Sequence, residues 1–170
     1  LRAKFALGLF ENPYGDDQLL SLVGSDEHRA VARRAVAQSQ VLVKNADDLL
    51  PLPVDVPALA VGGQHADDIG LQSGGWSIEW QGGVGDITEG TSILDGIRST
   101  VSADTAVLYD RAGRFEGADF VEGTVCLAVV GEQPYAEGVG DRGRLTLSSS
   151  DRDLVDRMSV ECGDLVGSRG

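Results

Sequence analysis

The sequence predicts an α/β protein built on a parallel sheet, and three observations predict it. Beyond residue 57, short apolar runs alternate with amphipathic stretches of helical length. One of those runs, Thr124–Val130, is apolar enough to be a strand buried on both faces. Two glycine clusters, Gly62–Gly90 and Gly131–Gly143, begin where such strands end. In parallel sheets that edge is where ligands bind.

The elements follow in order. Leu1–Phe10 carries Phe5, Leu9 and Phe10 at helical spacing and runs into the turn Asn12-Pro13-Tyr14-Gly15. A second helix is predicted from about Glu27 to Asn45, N-capped by Ser25, with Val31, Ala35, Gln38 and Leu42 on one face. Pro51, Pro53 and Pro57 then favour an extended connector, since proline suits neither helix interiors nor central strands. Strands are predicted at Ala58–Val61, Ala106–Tyr109 and Thr124–Val130, and helices at Thr91–Thr100 and Ser149–Cys162. Ser149 or Ser150 caps the last helix, with Leu154, Val155, Met158 and Cys162 inward, and Phe115–Val121 reads as a partly helical connection. The first residues read as a helix entered midway and the last four stop without a closing element, so a longer parent protein is expected.

Composition narrows the function. Fourteen basic against 27 acidic residues give a formal charge of −13, which repels phosphate backbones and anionic lipid. Nucleic acid and membrane surfaces are thus not expected as partners, and no apolar run reaches the roughly 18 residues of a membrane span. The two cysteines are too few for a disulfide framework, and Cys126 reads as a small buried side chain. His28 and His65 lie far apart without a cysteine cluster, so no metal site is expected. No dinucleotide or phosphate-binding glycine motif is present, and no cofactor is expected. Ser148-Ser149-Ser150 lacks a histidine partner and reads as a helix cap.

Two loops remain as candidates for chemistry. In Gly74-Gly75-Trp76-Ser77-Ile78-Glu79-Trp80-Gln81-Gly82, an indole between glycines has little local packing, and Trp76 suits stacking on the axial face of a sugar. Trp80 is expected in the core, sharing one side of a short strand with Ile78. His65, with Asp67 and Asp68, reads as bracing or capping the loop. In Gly131–Asp141, three acids (Glu132, Glu137 and Asp141) could serve as a proton donor. Glu132 stands one glycine beyond a buried strand, where a partly apolar cleft would raise its affinity for a proton. An acidic loop on an acidic protein can equally be a solvated surface.

Taken together, several segments resemble glycoside hydrolase family 3, in the β-glucosidase and exo-β-glucanase branch of plants and bacteria. They are Lys4–Tyr14, Val41–Asn45 with Leu49-Leu50-Pro51-Leu52-Pro53, Gly74–Gly82, Gly90-Thr91-Ser92-Ile93-Leu94 and Gly131–Asp141, in the family's order. The resemblance reaches to about Leu154 and is most specific in Gly-Gly-Trp-Ser-Ile-Glu-Trp-Gln-Gly and Gly-Glu-Gln-Pro-Tyr-Ala-Glu. It implies a TIM-like barrel tail over residues 1–45, a linker over 46–57 and an incomplete α/β sandwich over 58–170. It also implies a retaining hydrolysis of β-linked glucosides or gluco-oligosaccharides, with Glu132 as acid/base, Glu137 as the fallback, and Trp76 stacked on the leaving sugar. The nucleophile would be an aspartate of a barrel domain whose motif this chain lacks, so the chain alone is expected to be inactive. A periplasmic or extracellular setting is suggested by the resemblance alone. After Cys162 the family's apolar strand is not recognisable, so missing strands and marginal stability are expected. The rival reading is a carbohydrate-binding or interaction module that was never catalytic; a flavodoxin-like domain, the third reading, would leave Trp76 buried.

Overall fold

The computed structural model describes residues 1–162 and 164–169, without the side chains of residues 47, 164, 165, 168 and 169. The chain divides into two compact units, Leu1–Leu50 and Pro51–Gly170.

In the first unit, α1 (Arg2–Ala6) is followed by a 3₁₀ segment, Asp17–Leu22, and by α2 (Asp26–Ser39). Ser25 caps α2 as predicted, its Oγ accepting from His28 N. The helix ends six residues earlier than the periodicity implies. The β-branched residues of Val41-Leu42-Val43 favour extended backbone, and residues 40–45 are not helical. Asn45 closes the unit's last turn by bonding both backbone groups of Leu50. Neither α1 nor α2 buries a residue, and Phe5, Phe10, Val31 and Val36 are exposed.

The second unit is a parallel sheet of β1 (Ala58–Gly62), β2 (Ala106–Asp110), β3 (Val125–Val130) and β4 (Asp164–Arg169), in the order β2-β1-β3-β4. β1 pairs Leu59 with both Val107 and Val125, so it is central, and β3 runs alongside β4 from Val125↔Asp164 to Val130↔Arg169. The expectation that the segment after Cys162 supplies no strand is therefore corrected. Its backbone pairs along the whole of β3, and strand pairing uses backbone groups that a polar sequence retains. Gly163 and Gly170, the rest of that segment, lie outside the described residues.

Alternation along the strands builds two cores. On one face Leu59, Val61, Val125 and Val129 pack with Leu94 and Ile97 of α4 (Ile93–Thr100). On the other, Ala60, Cys126, Ala128 and Val130 pack with Leu154 and Met158 of α5 (Ser149–Glu161). Ser148, rather than Ser149 or Ser150, caps α5 by accepting from Asp151 N. Residues 115–121 hold a single turn at 116–117 and no helix. Cys126 and Cys162 form a disulfide, Cα to Cα 6.0 Å, joining β3 to the end of α5. Cys126 is buried as expected, but as half of a cross-link. None of the helices among the described residues is long and apolar enough to cross a membrane.

This order places a topological switch between β1 and β3. The chain leaves β1 towards β2 on one side and β3 towards β4 on the other, so the loops after β1 and β3 emerge side by side. The crevice between such loops is where open α/β sheets bind ligands.

Candidate functional site

The loop after β1 begins at Gly63, whose φ is +113° and where an added Cβ would run into the carbonyl of Val129. Only glycine lets this turn press so closely on β3. A 3₁₀ turn, Gln64–Asp67, and a short helix, α3 (Ile69–Ser73), follow within a stretch that sequence periodicity left as loop. Each polar residue of His65-Ala66-Asp67-Asp68 has a structural task, as the bracing reading expects. Asp68 caps α3 by accepting from Leu71 N and holds Gly85 N, 2.9 and 2.8 Å away. Asp67 accepts from Ser92 Oγ, the N-cap of α4. His65 is fully buried, and its Nε2 lies 3.0 Å from the backbone oxygen of Glu132. Burial away from water holds its pKa below the ordinary histidine value, an effect that the nearby carboxylates of Asp151 and Asp68 partly oppose.

The tryptophan segment lies against the loop after β3. Gly75 touches the Tyr135 backbone so closely that a side chain there would overlap its carbonyl. Gln81 Oε1 accepts from Ala136 N at 2.9 Å. Trp76 is 69 % exposed and Trp80 54 %, with ring centroids 6.3 Å apart. The expectation that Trp80 plugs the core is thus corrected, as is the short strand it would share with Ile78. Trp76 and Ile78 instead adopt positive φ, +62° and +64°, in a tight turn where Trp76 N donates to Trp80 O. A β-branched residue in that region is strained, at about 1–3 kcal/mol. The exposed Trp76 also removes the reading that would have buried it.

Glu132 stands at the rim of a cleft of about 740 Å³ whose walls include Gln72, Gly75, Tyr135, Arg142, Leu147 and Asp151. Its side chain is 39 % exposed. Tyr135 Oη donates to Glu132 Oε2 at 2.5 Å, and the Arg142 guanidinium forms an ion pair with Oε1. The partly apolar surroundings expected for this carboxylate are replaced by a cation and a phenol. Glu137 and Asp141 are exposed in the same loop, outside the cleft wall. Trp76 is also outside that wall, next to Gly75 within it. Tyr135 and Arg142 gave no signal beyond membership of the loop, because their partner is fixed by its fold. No group of three or more His, Cys, Asp or Glu among the described residues could hold a metal ion.

Comparison with known proteins gives the family. The glycosyl hydrolase family 3 C-terminal domain matches residues 40–166. The chain belongs to glycosyl hydrolase family 3. A lysosomal beta glucosidase of Dictyostelium discoideum is 30 % identical over 184 residues, covering 98 % of this chain and 22 % of that protein. A periplasmic beta-glucosidase of Salmonella typhimurium is 27 % identical, covering 98 % of this chain and 26 % of its own length. The crystal structure of an exo-1,3/1,4-beta-glucanase from a Pseudoalteromonas species superposes with a TM-score of 0.84 at 32 % identity, over 99 % of this chain and 22 % of that one. The family 3 chain thus spans about a quarter of the length of these relatives, and its parallel sheet with flanking helices is the family's α/β sandwich architecture.

Proposed function

We propose that this chain is the acid/base-bearing part of a retaining β-glucosidase or exo-β-glucanase, with Glu132 as the catalytic carboxyl. The observation that carries the reading is the placement of Glu132. It leaves the end of β3 at a topological switch point, on the rim of a cleft, with Tyr135 and Arg142 on its carboxylate. Protonated Glu132 gives its proton to the leaving glycosidic oxygen and becomes negative as the bond breaks. Tyr135 and Arg142 stabilise that growing charge, which lowers the barrier rather than merely binding substrate. The resulting carboxylate then takes a proton from the water that hydrolyses the glycosyl-enzyme. Trp76, exposed and held in a strained turn beside the cleft, offers its indole face to the leaving-group sugar.

The attacking carboxylate comes from a barrel domain of the same protein, with residues 1–45 as that domain's tail and 46–57 as the linker. The exposed apolar residues of α1 and α2 fit a segment that packs within a larger domain. A retaining mechanism needs its two carboxyls about 5–5.5 Å apart, so the chain alone has no turnover. The Cys126–Cys162 disulfide favours an oxidising compartment, in keeping with the lysosomal and periplasmic relatives.

Glu132→Gln in the full-length protein tests the reading. The expected result is a fall of about 10²–10⁴-fold in kcat/KM on phenyl β-glucoside, with azide restoring turnover of a dinitrophenyl glucoside as the β-glucosyl azide. An unchanged rate removes Glu132 from the role, and loss on Glu137→Gln instead transfers it to that residue.

A further inference from the structure

His65 is a puzzling residue to bury. Its ring is fully inaccessible, yet Nδ1 has no hydrogen-bond partner among the described residues. A backbone carbonyl can only accept, so the contact with Glu132 O requires the proton on Nε2. That leaves Nδ1 as a bare buried acceptor, a desolvation cost that an apolar side chain would not incur. The cost is offset only at Nε2, and Nε2 points at one residue of the candidate site.

That residue needs holding. Glu132 follows Gly131, and Gly138 and Gly140 lie farther along the loop, so its backbone has little intrinsic stiffness. Two groups from the loop after β1 grip this loop on either side of Pro134-Tyr135. Gln81 accepts from the amide of Ala136, and His65 donates its Nε2–H to the carbonyl of Glu132 itself. His65 is in turn anchored from behind, where Gln72 Nε2 of α3 donates to its carbonyl at 2.7 Å and Asp68 caps that helix. Fixing the carbonyl of residue 132 fixes the peptide plane beyond its Cα, and so the direction in which the carboxylate leaves the backbone.

We infer that His65 is the positioning residue for Glu132, setting the reach of its carboxyl through the Nε2–H···O=C bond. The inference rests on the acid/base reading of Glu132. His65 touches no reacting atom; it decides whether the acid arrives within hydrogen-bond distance of the leaving oxygen.

The test separates positioning from stability by the leaving group. Acid assistance matters for a poor leaving group and little for a good one. In the full-length protein, His65→Leu is expected to lower kcat/KM on phenyl β-glucoside by about 10–100-fold, the scale of an ångström's misplacement. On 2,4-dinitrophenyl β-glucoside the change stays within about threefold, since little acid assistance is needed there. His65→Gln, whose amide N–H reaches about as far as Nε2–H, restores most of the phenyl glucoside rate. His65→Asn, one bond shorter, does not, and it replaces His65→Leu should that variant fail to fold. Equal losses on both substrates, or no loss on either, overturn the inference. Glu132→Gln, assayed in parallel, distinguishes the two claims. If it steepens the dependence on leaving group and the His65 variants do not, only the positioning role fails; if it does not, the acid/base reading fails and the inference with it.

Discussion

Gln81 and Ala136 are 55 residues apart in sequence, and the side-chain oxygen of the first holds the amide of the second at 2.9 Å. This bond joins the tryptophan turn to the loop that carries Glu132. Gly75, which packs against the Tyr135 carbonyl, and Gly82, which packs against Pro134, bring the same two segments together. Trp76 and Glu132 are therefore carried on one docked pair of loops.

Replacing Gln81 with Leu leaves the Ala136 amide without a partner beside a buried residue. The expected cost is about 1–2 kcal/mol, the range for an orphaned backbone donor. Gln81→Glu keeps an acceptor oxygen and should cost less. Urea denaturation gives the stability, and hydrogen exchange at the Ala136 amide reads the same contact directly. Exchange that is unchanged in Gln81→Leu would mean that the bond does not fasten the loops.

Much of the second unit was legible in the sequence, and particular residues show where legibility stops. β1, β2, β3 and α4 were readable because their apolar patterning is local and suits a strand or helix buried by its neighbours. β4 was not, because only Leu165-Val166 of its six residues is apolar, too short a run to signal a strand without its pairing to β3. Strand alternation would bury Trp80, but positive φ at Trp76 and Ile78 makes a turn that local patterning does not signal. Glu132 was readable as a strand-end carboxylate. Its partners were not, since spacing does not encode which loop side chains fold back on it. His65 was readable as a loop brace, but its partner, 67 residues away at Glu132, was not.

The Cys126–Cys162 disulfide ties β3 to the end of α5 across a sequence separation of 36. Closing a loop of that size removes unfolded-state entropy worth about 4 kcal/mol in the chain-entropy model. Both sulfurs belong to the core that contains Ala60, Leu154 and Met158, so reduction should loosen α5 rather than fray an edge. Thermal unfolding with and without a reductant, checked by free-thiol labelling, measures the effect. The expected change is a clearly lower midpoint in the reduced chain, and equal midpoints would show that the cross-link contributes nothing to stability.

The buried His65 also gives stability a pH dependence with a definite sign. Burial holds its folded pKa below the ordinary histidine value, with Asp151 and Asp68 pulling the other way and only partly succeeding. In the unfolded chain the ring protonates near its usual pKa of about 6.5. Between that value and the lower folded one, the unfolded state binds the proton and the folded state does not. Stability contributed by His65 is therefore complete above about pH 6.5 and is lost as the pH falls below it, at no more than about 1.4 kcal/mol per pH unit. Urea midpoints at pH 7.5, 6.0 and 5.0 should decline for the native sequence. His65→Gln, with no titrating ring but the same donor, should decline less over that interval. Parallel declines in the two proteins would assign the pH dependence to other groups and leave His65 neutral at no cost.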